Sequence, residues 1–80
     1  MSLTEEEYLV LKMVTEEGWR ILGDMKTDTM IKPRRVKTVP GGNETLILLR
    51  RQGFLDYKNR ITQAGREAYK TKKAGMDQNG

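Results

Sequence analysis

Cysteine and histidine are both missing from the 80 residues. Without cysteine there is no disulfide framework and no thiolate zinc site. Without histidine, the commonest metal ligand and the usual general base near neutral pH are gone as well. Proline occurs twice, and the aromatic side chains are one Trp, one Phe and three Tyr. No apolar run nears the roughly 18 residues of a membrane span. The opening stretch is acidic and has no basic n-region, so it does not read as an export signal. No spaced carboxylate pair and no nucleotide-binding glycine loop is visible, and Pro40-Gly41-Gly42-Asn43 is too short to cradle a phosphate chain. The expectation is a cytoplasmic, non-enzymatic protein with no cofactor, no metal and no evident small-molecule ligand. The length allows one domain at most, and a chain this short buries only about 60% of its unfolded surface.

What is present is charge, unevenly placed. Residues 1–18 carry Lys12 against Glu5, Glu6, Glu7, Glu16 and Glu17, a net of −4. Residues 19–40 hold six cations against Asp24 and Asp28, and residues 41–80 hold eight against four acids, each a net of +4. An acidic end and a basic remainder suit one face to a polyanion; the plain alternative is a solvated surface.

Local signals set the element order. Thr4 with Glu7 three residues on makes a capping box, with Leu3 and Tyr8 as a hydrophobic staple and Glu5 to Glu7 favoured by the helix dipole. Val10, Leu11 and Val14 share a face, and the helix should stop near Gly18. Trp19 to Leu22 reads as a short strand with Trp19 in the core. Residues 23–40 predict some helix broken near Pro33, either over Asp24–Met30 or starting at Pro33, with Met25, Met30, Ile31 and Val36 turned inward. After the Pro40–Asn43 turn, Asn43 caps a helix over about 43–52 whose inward stripe is Leu46 and Leu49, ended by Gly53. Residues 54–57 and 60–62 read as an antiparallel hairpin turning at Lys58-Asn59. Thr62 or Gln63 opens a last helix carrying Ala64, Ala68 and Tyr69. From about Thr71 the chain reads as a basic, disordered tail, which leaves residues 1–70 as the domain and 71–80 outside it.

This order resembles the winged helix-turn-helix family of DNA-binding proteins. The family often shows an apolar residue, a Leu three on, then Gly and an apolar pair four on. Here these are Leu46, Leu49, Gly53, Phe54 and Leu55. A strand, a wing turn, a second strand and a Thr-x-x-Gly helix start follow, matched by Ile61, Thr62 and Gly65. About half the chain matches closely, and the likeness is strongest to small regulators of archaea, plasmids and viruses. The resemblance implies an α+β fold: a winged helix-turn-helix with a three-helix core, a small antiparallel β-hairpin wing and a C-terminal helix. The segment around Pro33 is longer than the family's, Ile47 and Leu48 stand where polar residues are usual, and the wing is short.

Three groups of residues are expected to meet DNA. At the hairpin tip, Lys58 and Arg60 neutralise phosphates, while Asn59 donates to a phosphate or only makes the turn. In "KPRRVKT", Lys32, Arg34, Arg35, Lys37 and Thr38 contact the backbone, and an Arg can also grip guanine O6 and N7. At the third helix, Asn43, Glu44, Thr45 and Ile47 are candidates for base edges, with Arg50 and Arg51 behind them. The resulting expectation is a transcription regulator that binds double-stranded DNA sequence-specifically as a homodimer, pairing through the first and last helices, where an exposed Tyr69, Leu9 or Met13 would suit the interface. The alternatives are a winged-helix module for protein or structured RNA, docking through Ile47 and Leu48, and a replication or plasmid-maintenance factor.

Overall fold

The computed structural model describes residues 3–22 and 28–79, the last four by their backbone alone. The order is α1 (Glu5–Glu16), β1 (Arg20–Ile21), β2 (Thr29–Lys32), β3 (Arg35–Thr38), α2 (Gly42–Arg51) and α3 (Gln63–Asn79). It is a small α+β arrangement of three helices and one three-stranded antiparallel sheet, ordered β1-β2-β3.

The start of α1 follows from its sequence. The Thr4 hydroxyl accepts from the Glu7 amide at 3.2 Å, and the Glu7 carboxylate accepts from the Thr4 amide at 2.8 Å. Glu7 is nonetheless buried, because its other oxygen also accepts from the Gln52 side chain beyond α2. A buried carboxylate needs such partners, and this one joins the first helix to the second. Around it Val10, Leu11, Met30, Val39, Leu46 and Leu49 are sealed from solvent. Tyr69 of α3 lies buried on Tyr8 of α1, the rings stacked 5.4 Å apart.

The segment around Pro33 is where the expected fold and the observed one part. Among the described residues no helix precedes Gly42 except α1. Residues 29–38 form a β-hairpin instead, and Met25 and residues 24–27 of the expected helix lie outside the described residues. The cause is local. Thr29 pairs with Thr38 and Ile31 with Val36, so four β-branched residues sit as cross-strand partners. Pro33 fixes φ at the first turn position, and Arg34 takes a φ of 65° at the second, the demand of a type II turn. Met30 is buried as expected, whereas Val36 stands 72% exposed and points away from the core.

Three smaller differences follow. Gly41, with φ 77°, stands at the N-cap of α2 in place of Asn43. The expected wing is a loop closed by one bridge, Leu55 to Ile61, and not a pair of strands. The expected tail is helical, since α3 continues to Asn79. Lys73 on it pairs with Glu16 of α1 at 2.9 Å and lies over Tyr69, which holds the third turn against the body.

The Thr-x-x-Gly start of α3 has a packing reason. The Thr62 hydroxyl donates to the Gly53 carbonyl at 2.6 Å and accepts from the Gly65 amide at 3.0 Å. A Cβ on Gly65 would lie 2.3 Å from the Phe54 carbonyl oxygen and 2.9 Å from Ile61. Gly65→Ala therefore forces α3 off the loop, and chemical denaturation should show a loss of about 2 kcal/mol.

Candidate nucleic-acid interface

Strand pairing sorts the hairpin's side chains into two faces, since directly opposed residues share a side. On the inner face Ile21 pairs with Met30, Met30 with Lys37, and Lys32 with Arg35. Met30 and Ile21 belong to the core, while Lys32 and Lys37 pass over the edge of buried Trp19, at 5.5 and 5.4 Å from its ring. Both ammonium groups lie over the indole, a favourable cation–π arrangement. Arg35 is exposed beside them and Arg34 is exposed on the turn. No described carboxylate pairs with Lys32, Arg34, Arg35 or Lys37. The four cations expected to act together do stand together. Thr38, at the end of β3, is exposed on the opposite face.

The loop between Leu55 and Ile61 supplies the second cationic group. Asp56 organises it: one carboxylate oxygen accepts from the amides of Lys58, at 2.8 Å, and Arg60, at 2.9 Å, and the other accepts from Arg60 Nε at 3.0 Å. The Arg60 amide, then the Lys58 amide and the Arg60 guanidinium, hold the Asp56 carboxyl below its ordinary value. A depressed carboxyl stabilises the folded loop fully above the ordinary carboxylate range, and that contribution is lost as pH falls through the depressed value. An NMR pH titration should therefore show the Lys58 and Arg60 amides losing their folded shifts together with the Asp56 carboxyl, in acid below the ordinary carboxylate range. Two tip side chains stay outside: Arg60 keeps most of its guanidinium in solvent, and Lys58 lies over exposed Tyr57 at 5.7 Å.

Asn59 does not. It is 3% exposed with φ 61°, its amide nitrogen donates to the Leu22 carbonyl at 2.9 Å, and its amide oxygen accepts from Arg50. Of the two readings of Asn59, the turn residue stands and the phosphate donor does not: its side chain is a buried fastener between loop, sheet and α2, and Arg50 is occupied with it.

The two cationic groups flank β1. A concavity of about 690 Å³ has Arg20, Lys58, Arg60 and Arg66 around it, and Leu22, Ile31 and Ile61 contribute apolar wall. Arg20 and Arg66 were not among the expected contacts. Their one sequence signal is charge, which 15 Lys and Arg in 80 residues make uninformative.

The start of α2 corrects the expectation for base reading. Gly41 packs against Glu6 of α1: a Cβ placed there would lie 3.3 Å from the Glu6 side chain, and 2.1 Å from the Thr45 hydroxyl. Thr45 is buried, and the Asn43 side-chain oxygen is sealed from solvent without a partner among the described residues. Thr45 therefore cannot reach a base edge, and half-buried Asn43 lacks a free amide oxygen for a bidentate adenine contact. The outer side of α2 shows Glu44, Ile47, Leu48 and Arg51, a mixed strip with no row of polar donors. The expected dimer contacts are reduced in the same way, since Met13 and Tyr69 are buried within the chain and Leu9 alone is exposed.

Among the described residues no cluster of His, Cys, Asp and Glu is placed to hold a metal ion, and no helix is long and apolar enough to cross a membrane. Comparison of the chain with protein-family models, with curated proteins and with solved structures finds no match.

Proposed function

We propose that this protein binds double-stranded DNA sequence-specifically and acts as a transcription regulator. The observation that carries the proposal is the hairpin rim, where Lys32, Arg34, Arg35 and Lys37 gather within six positions and no described carboxylate balances them. Cations crowded in this way repel one another, and a polyanion relieves the repulsion. Lys58 and Arg60 add a second group beyond β1, so phosphates on either side of a duplex groove have partners. The acidic N-terminal helix supplies the opposite pole and favours one orientation of approach.

Affinity then comes mainly from counterion release. If Lys58, Arg60 and three of the rim cations each neutralise one phosphate, log K falls with log salt at a slope of about −4 to −5 per monomer. A fluorescence-anisotropy titration of a short duplex across salt measures this, and a flat line removes the proposal. Homodimer pairing belongs to the same reading, with Leu9 as its apolar contact. Footprinting on the protein's own promoter region distinguishes a regulator from a replication or plasmid-maintenance factor.

The exposed pair Ile47 and Leu48 favours a second reading, in which α2 docks a protein or structured RNA. Alanine at Arg34 and Arg35 would leave such a partner bound.

A further inference from the structure

Among the described residues, no helix covers the outer face of the sheet. Pairing places Arg20, Ile31 and Val36 in one row across the three strands, and Thr29 and Thr38 in the next, with Leu22 at the end of β1 beside them. Val36 is 72% exposed, Arg20, Leu22 and Thr38 are exposed, and Ile31 and Thr29 are half-buried. Apolar side chains on a free sheet face are costly to leave in water, and their company here is specific: an arginine and hydroxyls carrying methyl groups.

We infer that this open sheet face, and not a helix, is the element that enters the major groove, with Arg20, Ile31 and Val36 as its base-reading residues. The inference rests on the DNA-binding reading above. Three strands at about 4.8 Å spacing make a body near 10 Å across, and the major groove is about 12 Å wide and 8.5 Å deep. With the open face on the groove floor, the phosphate rails rise past the sheet's two edges. At the β3 edge stands Arg35, exposed on a long stem, while Lys37 starts from the same strand with its ammonium over Trp19. At the β1 edge stand Lys58 and Arg60, which share one concavity with Arg20, Leu22 and Ile31. Cations therefore border the apolar face on both sides, as a groove between two phosphate chains requires. On the floor, Arg20 offers a bidentate donor pair to guanine O6 and N7, and the methyl groups of Val36, Ile31 and the two threonines meet thymine C5-methyls. The strip on α2 offers Glu44 and two aliphatics, and Gly41 at its start lies against Glu6 of the acidic α1.

Selection from random duplexes tests this, using the full chain and two variants at exposed positions, Arg20→Ala with Val36→Ala, and Ile47→Ala with Leu48→Ala. The sheet variant should lose roughly tenfold or more in affinity for the selected duplex and keep its binding to random duplex to within a few-fold. The helix variant should select the wild-type site. A sheet variant that selects the same site with undiminished preference overturns the inference, as does loss of preference in the helix variant alone. A wild-type chain that binds no duplex at low salt overturns the DNA reading itself, a distinct result. Exchange of thymine for uracil in the selected duplex gives a second measurement independent of variant folding. The wild type should lose several-fold in affinity and Val36→Ala less, since Ile31 and the threonines still meet thymine methyls; equal loss in both overturns the assignment of Val36.

Discussion

Replacing Arg34 and Arg35 with alanine is expected to lower affinity for duplex DNA roughly 50- to 100-fold near 0.1 M salt, and to reduce the salt slope by about 2. Both residues are exposed and neither has an ion-pair partner among the described residues, so the loss is of charge and not of packing. Each phosphate contact removed takes about 0.9 from the slope, which at a tenth molar is close to tenfold per contact. Thermal unfolding should be nearly unchanged, because surface substitutions of this kind fall within about 0.5 kcal/mol. Arg34→Gly separates the two effects further. Arg34 occupies a left-handed turn position that glycine adopts freely, so this variant should gain up to about 1 kcal/mol of stability while losing one phosphate contact. A more stable protein that binds DNA less tightly cannot be explained by damage to the fold. Unchanged affinity in the Arg34→Ala, Arg35→Ala variant would favour docking of a protein or RNA on α2.

Asn59→Ala is expected to cost about 3 kcal/mol, the sum of an unpaired Leu22 carbonyl, an unpaired half-buried Arg50 and a non-glycine φ above zero without an asparagine to tolerate it. The side chain is 3% exposed and ties the loop to the end of β1 and to the last turn of α2. In a domain of this size that corresponds to a fall in Tm of about 12–24 °C. Asn59→Gly restores the backbone preference and should recover about 1 kcal/mol, but not the two hydrogen bonds. Because the same residue fixes the loop carrying Lys58 and Arg60, both variants should also weaken DNA binding and lower the slope by less than the alanine pair at Arg34 and Arg35. Equal stability of Asn59→Ala and the wild type would show that the fastener contributes nothing.

Much of the fold was legible where local chemistry and packing agree. The capping box at Thr4 and Glu7, the buried Leu46 and Leu49, the break at Gly53 and the Thr62–Gly65 helix start are each written in adjacent residues. The hairpin at 29–38 was legible in principle, since Thr29, Ile31, Val36 and Thr38 are symmetric about Pro33-Arg34. A proline admissible at a helix start masked that symmetry, and the pairing appears only once two strands are set side by side. The site followed the same division. Lys32, Arg34, Arg35 and Lys37 form a run in the chain and a rim in space. Asn59 was legible as a turn residue but not as a buried one, because nothing near it in sequence announces the carbonyl of Leu22, 37 residues away. Thr45 was misplaced for the converse reason: a helix start reads as an open end until Gly41 is found against Glu6 of α1.

The central claim is that the sheet and the loop beside β1 form the DNA-facing side. An NMR titration of the labelled full chain with a short duplex tests it most directly. Amide shifts should concentrate at Arg20, along 29–38 and at 57–60, with the outer side of α2 quiet. Shifts confined to Glu44, Ile47, Leu48 and Arg51, with the hairpin unmoved, would contradict it.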